Sequence, residues 1–411
     1  MNISQVKVLN FWRDKKNIAI ICIYIVMIFS FFVYNDKKIE QEHELVTQEM
    51  EEKLYIGNIH AEKTIIEEQF SGDSVNTLAA FRLRNDYLQN WRDRKIGDFQ
   101  LIEKKTASNY LTYLAALPVE IKDTLDEDEF PPTIYADNKV KQIEQLNKQN
   151  LLLESSRYGN DGSSFLTSIL YFLTSFLGIF LFLFLFGDFL SSDYERQTIR
   201  LMFTTITDKR SYLLHSLNVT MIHVIVFFCG SIFFSFGLAT IVGGVGQLNY
   251  PLISPMHSSF FLPASSYWLQ VSFLFICVLL FVFLCYGVFT LFMKRSLLSL
   301  ICTCSFLFAM NKLSLLPYFR QLAPFNPFVY LEASNIFVGK DFTPAYFSTE
   351  AYVNVEYEMV VENLNYYLGN NVATVLENPT INFTTGLIVL LISSFLLFIG
   401  LNLLLKRKSI I

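Results

Sequence analysis

The chain has 411 residues, enough for two or three domains, and 52% of them are hydrophobic while only 17% are charged. That apolar share exceeds what a soluble protein of this length carries, and the 41 phenylalanines run together, as in residues 172–186, instead of recurring at amphipathic spacing. The formal net charge of −5 is split unevenly between segments, and no basic face large enough for nucleic acid is present.

In chain order, the first apolar stretch, residues 18–34, follows Arg13, Lys15 and Lys16 and ends in the bulky run Phe31, Phe32, Val33 and Tyr34. It is too long for a signal-peptide core and lacks the small residues a signal peptidase needs, so it reads as an uncleaved anchor. Residues 35–164 are acidic. Ile39, Val46, Met50 and Leu54, and later Val140, Ile143, Leu146 and Leu153, recur at helical intervals, which predicts an antiparallel helical stalk continuous with two membrane helices. Between them the run Asp126 to Glu129 lacks the alternating spacing and turn glycine of a calcium loop and reads as solvated.

Further spans are predicted near 165–187, 216–242, 267–293, 296–316 and 382–405, each close to the roughly 20 residues a helix needs to cross the hydrocarbon. Arg13, Lys15 and Lys16, then Arg196, Arg200, Lys209 and Arg210, then Lys294 and Arg295, and finally Lys406, Arg407 and Lys408 all fall on one side of these spans. The loop from Gly243 to Ser266 on the other side has no Lys or Arg. The positive-inside bias therefore puts both chain ends in the cytoplasm. The expected fold class is an all-α integral membrane protein: six transmembrane helices, N-in and C-in, with a large helical extracellular domain between the first two spans.

This divides the chain into a tail and first helix (1–34), the extracellular stalk (35–164), the second helix (165–187), a cytoplasmic segment (188–215) and the third to fifth helices (216–316). An extracellular segment of short interfacial helices (317–381) and the sixth helix with its basic tail (382–411) complete it. Within 317–381, Ala323-Pro-Phe-Asn-Pro-Phe-Val-Tyr330 combines helix-stopping prolines with aromatics suited to the lipid interface.

No catalytic constellation stands out. Walker A, His-Glu-x-x-His and Gly-x-Ser-x-Gly patterns are all missing. The six cysteines, Cys22, Cys229, Cys277, Cys285, Cys302 and Cys304, lie in apolar spans, so the outer regions have no disulfide framework. Cys302 and Cys304 point to different helix faces, and His215 and His223 have no ligand between them, so both pairs read as plain helix residues. The span interiors lack Asp and Glu, which disfavours an ion-coupled transporter.

After Gly187 and Asp188 comes Asp193-Tyr-Glu-Arg-Gln-Thr-Ile-Arg-Leu-Met-Phe-Thr204. Ile199, Met202, Phe203 and Ile206 share one helical face, Arg196 and Arg200 stand one turn apart, and Asp193 and Glu195 sit where acids suit a helix start. By pattern alone this is a short amphipathic helix along the inner membrane face, whether a bland surface helix or a docking element.

The segment resembles the coupling helix of permease subunits of ABC transporters of the type-2 exporter class, widespread in bacteria. Glu195, Thr198, Ile199, Leu201, Met202 and Lys209-Arg210 match that family's acidic residue, threonine, apolar run and basic turn, whereas Gln197 and Thr205 replace its glycine and proline. The six-span layout and the Pro-Phe-Asn-Pro-Phe segment, similar to the start of the family's outer re-entrant helices, extend the resemblance over most of the chain.

The resemblance implies a permease that moves a hydrophobic or amphipathic substrate (peptide, antimicrobial or lipid-like) and has no ATPase site of its own. An ABC ATPase subunit would carry ATP and Mg. Glu195, Arg196, Thr198, Ile199, Arg200, Met202 and Phe203 would form the ATPase-coupling surface, and a second permease subunit and the lipid bilayer are the other partners. The rival expectation is a membrane-anchored sensor or assembly scaffold whose extracellular domain binds a partner. The abundance of Phe, Ile, Asn and Lys fits the plasma membrane of a Gram-positive bacterium.

Overall fold

The computed structural model describes residues 17–37, 159–195, 209–254, 261–338 and 371–407, with Lys15 and a few positions between 145 and 151. These residues are mostly helical. Helix α1 (Asn17–Lys37) is followed by α2 (Gly162–Leu173), α3 (Phe176–Phe186), α4 (Asp188–Glu195) and the long α5 (Lys209–Gly243). A two-stranded patch, β1 (Pro251–Ile253) and β2 (Phe261–Pro263), then leads into α6 (Ala264–Met293) and α7 (Ser296–Ser314). Four 3-10 turns occupy residues 317–336, and the short α8 (Val372–Val375) precedes α9 (Phe383–Arg407).

Five of these helices, α1, α5, α6, α7 and α9, are long and apolar enough to cross a membrane, and α2 with α3 makes a sixth crossing if the bent pair counts as one. The stretch 165–187, expected as one continuous helix, is bent by 71°. Thr174 ends α2, and Ser175 is extended at φ −77° and ψ 173°, with its hydroxyl turned back onto the Phe172 carbonyl at 2.7 Å. A Cβ on Gly178 would meet the Leu173 carbonyl oxygen at 1.8 Å, so the turn closes only because that residue is glycine.

Helix α6 is the axis of the bundle. Within its most apolar window 72% of residues are buried, against 22–28% in the other four unbroken spans. It packs along α9 and α7 and touches α2, while α5 packs on α2 and α4. Lipid tails are as apolar as leucine, so dispersion at close approach, and not escape from water, holds such helices together. Phe182 sits against Phe186, Phe227, Phe228 and Phe275 with ring centroids 5.8–6.3 Å apart, three of the four edge-on. Gly386 leaves the space filled by the fully buried Tyr330 ring, which a Cβ there would meet at 2.7 Å. Around the outside, α1 turns Tyr24, Ile28 and Phe32 inward and Ile23, Val26 and Phe29 outward, and α5, α7 and α9 likewise expose Phe233, Ile301 and Phe395. Those outward faces suit lipid.

At one end of the bundle a rim of hydrogen bonds gathers the helix ends. Asn35 Nδ2 donates to the Gly159 carbonyl at 2.7 Å, and the Gly162 and Ser163 amides donate to the Gly244 and Val245 carbonyls. Asp161 Oδ1 accepts from the Ser164 amide at 3.0 Å as the N-cap of α2. Gly246, at φ +73°, fits against that carboxylate in a conformation that side chains disfavour. At the opposite end lie Lys15, the α5 start at Lys209 and Arg210, the α6–α7 turn at Lys294 and Arg295, and the α9 end at Lys406 and Arg407. The described members of the basic clusters thus share one end.

Most of the predicted stalk lies outside the described residues. It is helical at 145, 146, 148 and 149, with Leu146 buried against Tyr250 and Ala264. The outer loop, read from sequence without strands, pairs Leu252 with Leu262 in antiparallel register, with Pro251 opposite Pro263 at one end of the ladder. Of the segment 317–381, expected at the interface, the turn around Pro317–Phe319 is exposed, with Tyr318 96% accessible, but Val329, Tyr330, Leu331, Ala333, Ile336 and Phe337 enter the bundle core.

Candidate functional site

Two polar clusters interrupt the apolar bundle, one at each end. The first surrounds α4. Gly187 carries the chain from α3 straight into α4, where a Cβ would meet the Leu183 carbonyl at 2.5 Å. Asp188 opens α4 and so faces the positive end of its dipole. Ser296 Oγ, at the start of α7, donates to Asp188 Oδ1 at 2.8 Å, and the Tyr286 hydroxyl of α6 lies 3.5 Å from Ser296 Oγ and within reach of Ser191. Lys294 takes the left-handed conformation that ends α6, with φ 57°. Ser216 of α5 donates to the Phe189 carbonyl at 3.0 Å. Helix α4 is therefore tied to α5, α6 and α7 at once.

Of the coupling residues expected from sequence, Glu195 is the last residue of α4. Arg196, Thr198, Ile199, Arg200, Met202 and Phe203 lie outside the described residues. The anchor, Asp188, was visible in the sequence only as the acid following Gly187. His223 is half-buried, its Nδ1 2.8 Å from the Val219 carbonyl and its ring 5.0 Å from that of Phe189. Among the described residues no group of three metal-ligating side chains forms.

The second cluster sits at the bend between α2 and α3. Thr174, fully buried, hydrogen-bonds the Ser334 hydroxyl, and the buried Tyr267 hydroxyl of α6 is also within reach of Ser334. Tyr171, one turn before Thr174 and half-buried, lies near Glu332. Asn335 Nδ2 donates to Glu332 Oε2 at 2.8 Å. Ser254 Oγ donates to the Phe337 carbonyl at 2.6 Å and Asn371 Nδ2 to the Ile336 carbonyl at 3.4 Å, so side chains satisfy carbonyls that irregular backbone leaves open. Sequence reading placed no role on Thr174, Tyr267, Glu332, Ser334 or Asn335. The available signal was a Glu and an Asn, three residues apart, in an otherwise aromatic segment.

Chemically, the first cluster is a set of hydrogen bonds that holds α4 to its neighbours, and the second is a polar patch beside an apolar core. No protein-family model, curated protein or solved structure matches the chain.

Proposed function

We propose that this chain is the membrane-spanning permease subunit of an ATP-driven ABC exporter, with its basic end in the cytoplasm of a bacterial cell. A separate ATPase subunit binds there and hydrolyses ATP with Mg, a second permease subunit completes the pore, and the substrate is hydrophobic or amphipathic.

The observation that carries the reading is the tethering of α4. A partner that pushes the segment beginning at Glu195 acts on a helix that continues the bent span α2–α3 and is hydrogen-bonded to the α6–α7 turn through Asp188 and Ser296. Movement at the cytoplasmic surface thus reaches both the bend and the central helix. The resemblance of residues 195–210 to a coupling helix supports the same reading, as does the lack of any Walker A pattern in the chain itself.

Deleting Asp193 to Thr204 while preserving insertion is expected to abolish ATP-dependent transport and to release the ATPase on purification. Retained transport overturns the proposal. Purification of the intact chain from its native host, with an ATPase absent and another protein held through residues 35–164, favours the sensor or scaffold instead.

A further inference from the structure

The geometry points to Glu332 and the polar cluster behind it as a site for the ammonium group of an amphiphilic amine, which names the charged group of the permease's substrate. It rests on the permease reading only for the transport step after binding.

The donors and acceptors around Glu332 do not balance. Glu332 is half-buried, and among the described residues it has no cationic partner: Arg320 pairs with Glu377 at 2.5 Å, Lys312 lies over the Phe308 ring, and Lys294 and Arg295 are at the other end. Asn335 is 8% accessible and spends its Nδ2 on Glu332, which leaves its Oδ1 buried without a hydrogen-bond partner. Turning that amide over would set an oxygen against the carboxylate, so the orientation is fixed by chemistry. An acceptor left without a donor on Asn335 and a carboxylate without a cationic partner among the described residues on Glu332, joined by the Asn335 amide, call for a cation that also donates hydrogen bonds. A protonated primary amine has both properties, and a quaternary one has charge alone.

The surroundings suit the rest of an amphiphile. Tyr171 lies near Glu332, and the rings of Tyr267, Phe337 and Phe383 pack in succession close by, with centroids 6.3 and 5.8 Å apart. Cations also gain from aromatic faces in such settings.

The sequence is acidic on either side of the described residues that form this end. Residues 35–164 hold 25 acidic and 16 basic side chains, and residues 317–381 hold 7 and 2, whereas the remainder of the chain holds 5 and 14. Both acidic segments join the bundle at the rim gathered by Asn35, Gly159 and Gly244, the end to which Glu332 belongs.

The test measures equilibrium binding of radiolabelled octylamine to the full chain in lipid nanodiscs at neutral pH, without any ATPase, with empty nanodiscs as background. Saturable octylamine binding is expected, at least tenfold tighter than binding of octyltrimethylammonium and tighter still than that of octanol. Glu332→Gln is expected to weaken octylamine binding at least tenfold at unchanged thermal midpoint. Equal binding of octylamine and octanol overturns the proposal even if the variant fails to fold, as does a folded Glu332→Gln protein that binds octylamine like the native chain. Absence of an ATPase partner in cells sinks the permease reading and leaves this result standing.

Discussion

Gly178→Ala is expected to destabilise the protein by about 3–5 kcal/mol, although the same change in an ordinary helix stabilises by about 1 kcal/mol. The sign reverses because the new methyl group would lie 1.8 Å from the Leu173 carbonyl oxygen and 2.6 Å from its carbon. Those atoms are backbone, and they cannot retreat without opening the 71° bend. Opening the bend breaks the contact of Thr174 with Ser334, which leaves buried hydroxyls unpaired at about 1–3 kcal/mol each. Gly230→Ala is the control, since nothing stands within 4 Å of a Cβ at that exposed helical position. Thermal melts in mild detergent should show Gly178→Ala well below the native midpoint and Gly230→Ala at or above it. Equal midpoints for the two variants would mean that the α2–α3 bend is not part of the stable fold.

The apolar spans were legible because each is a continuous run of the length a bilayer demands, and span ends followed from basic pairs such as Lys294 and Arg295. Helices α6, α7 and α9 begin and end within three residues of the positions read from sequence. The bend was not legible. Thr174 and Ser175 are ordinary residues within a membrane helix, and what fixes the break there is a partner 160 residues away, Ser334, together with the close approach at Gly178. The prolines of residues 317–331 announced irregular backbone, but whether such a segment rests at the interface or enters the core depends on the groove offered by α6, α7 and α9. Gly386 opens that groove for Tyr330, and Asn311 Nδ2 donates to the Phe328 carbonyl at 2.9 Å. Polar atoms of distant elements decide both features, so periodicity in one segment carries no trace of them.

The same dependence on distant partners governs the joint at the basic end, where Asp188 and Ser296 are 108 residues apart and 2.8 Å from contact to contact. A hydrogen bond to a carboxylate contributes about 1.5–3 kcal/mol. In a double-mutant cycle on thermal stability, Ser296→Ala and Asp188→Asn should therefore show a coupling of about 1–2 kcal/mol, where unconnected sites would add. The functional effect is expected to exceed the thermal one. Ser296→Ala alters no residue of α4 or of the segment after it, yet it removes the hydrogen bond from the start of α7 to Asp188. For the proposed permease, ATPase association should persist while transport per ATP hydrolysed falls about tenfold, the cost of losing roughly 1.4 kcal/mol of linkage between the two movements. Reconstituted vesicles with the co-purified ATPase give both rates from one preparation. If Ser296→Ala lowers ATPase binding and transport in equal proportion, the contact serves docking; if transport per ATP is unchanged, force reaches the bundle by another path, such as Ser216 on the Phe189 carbonyl or Tyr286 beside Ser191.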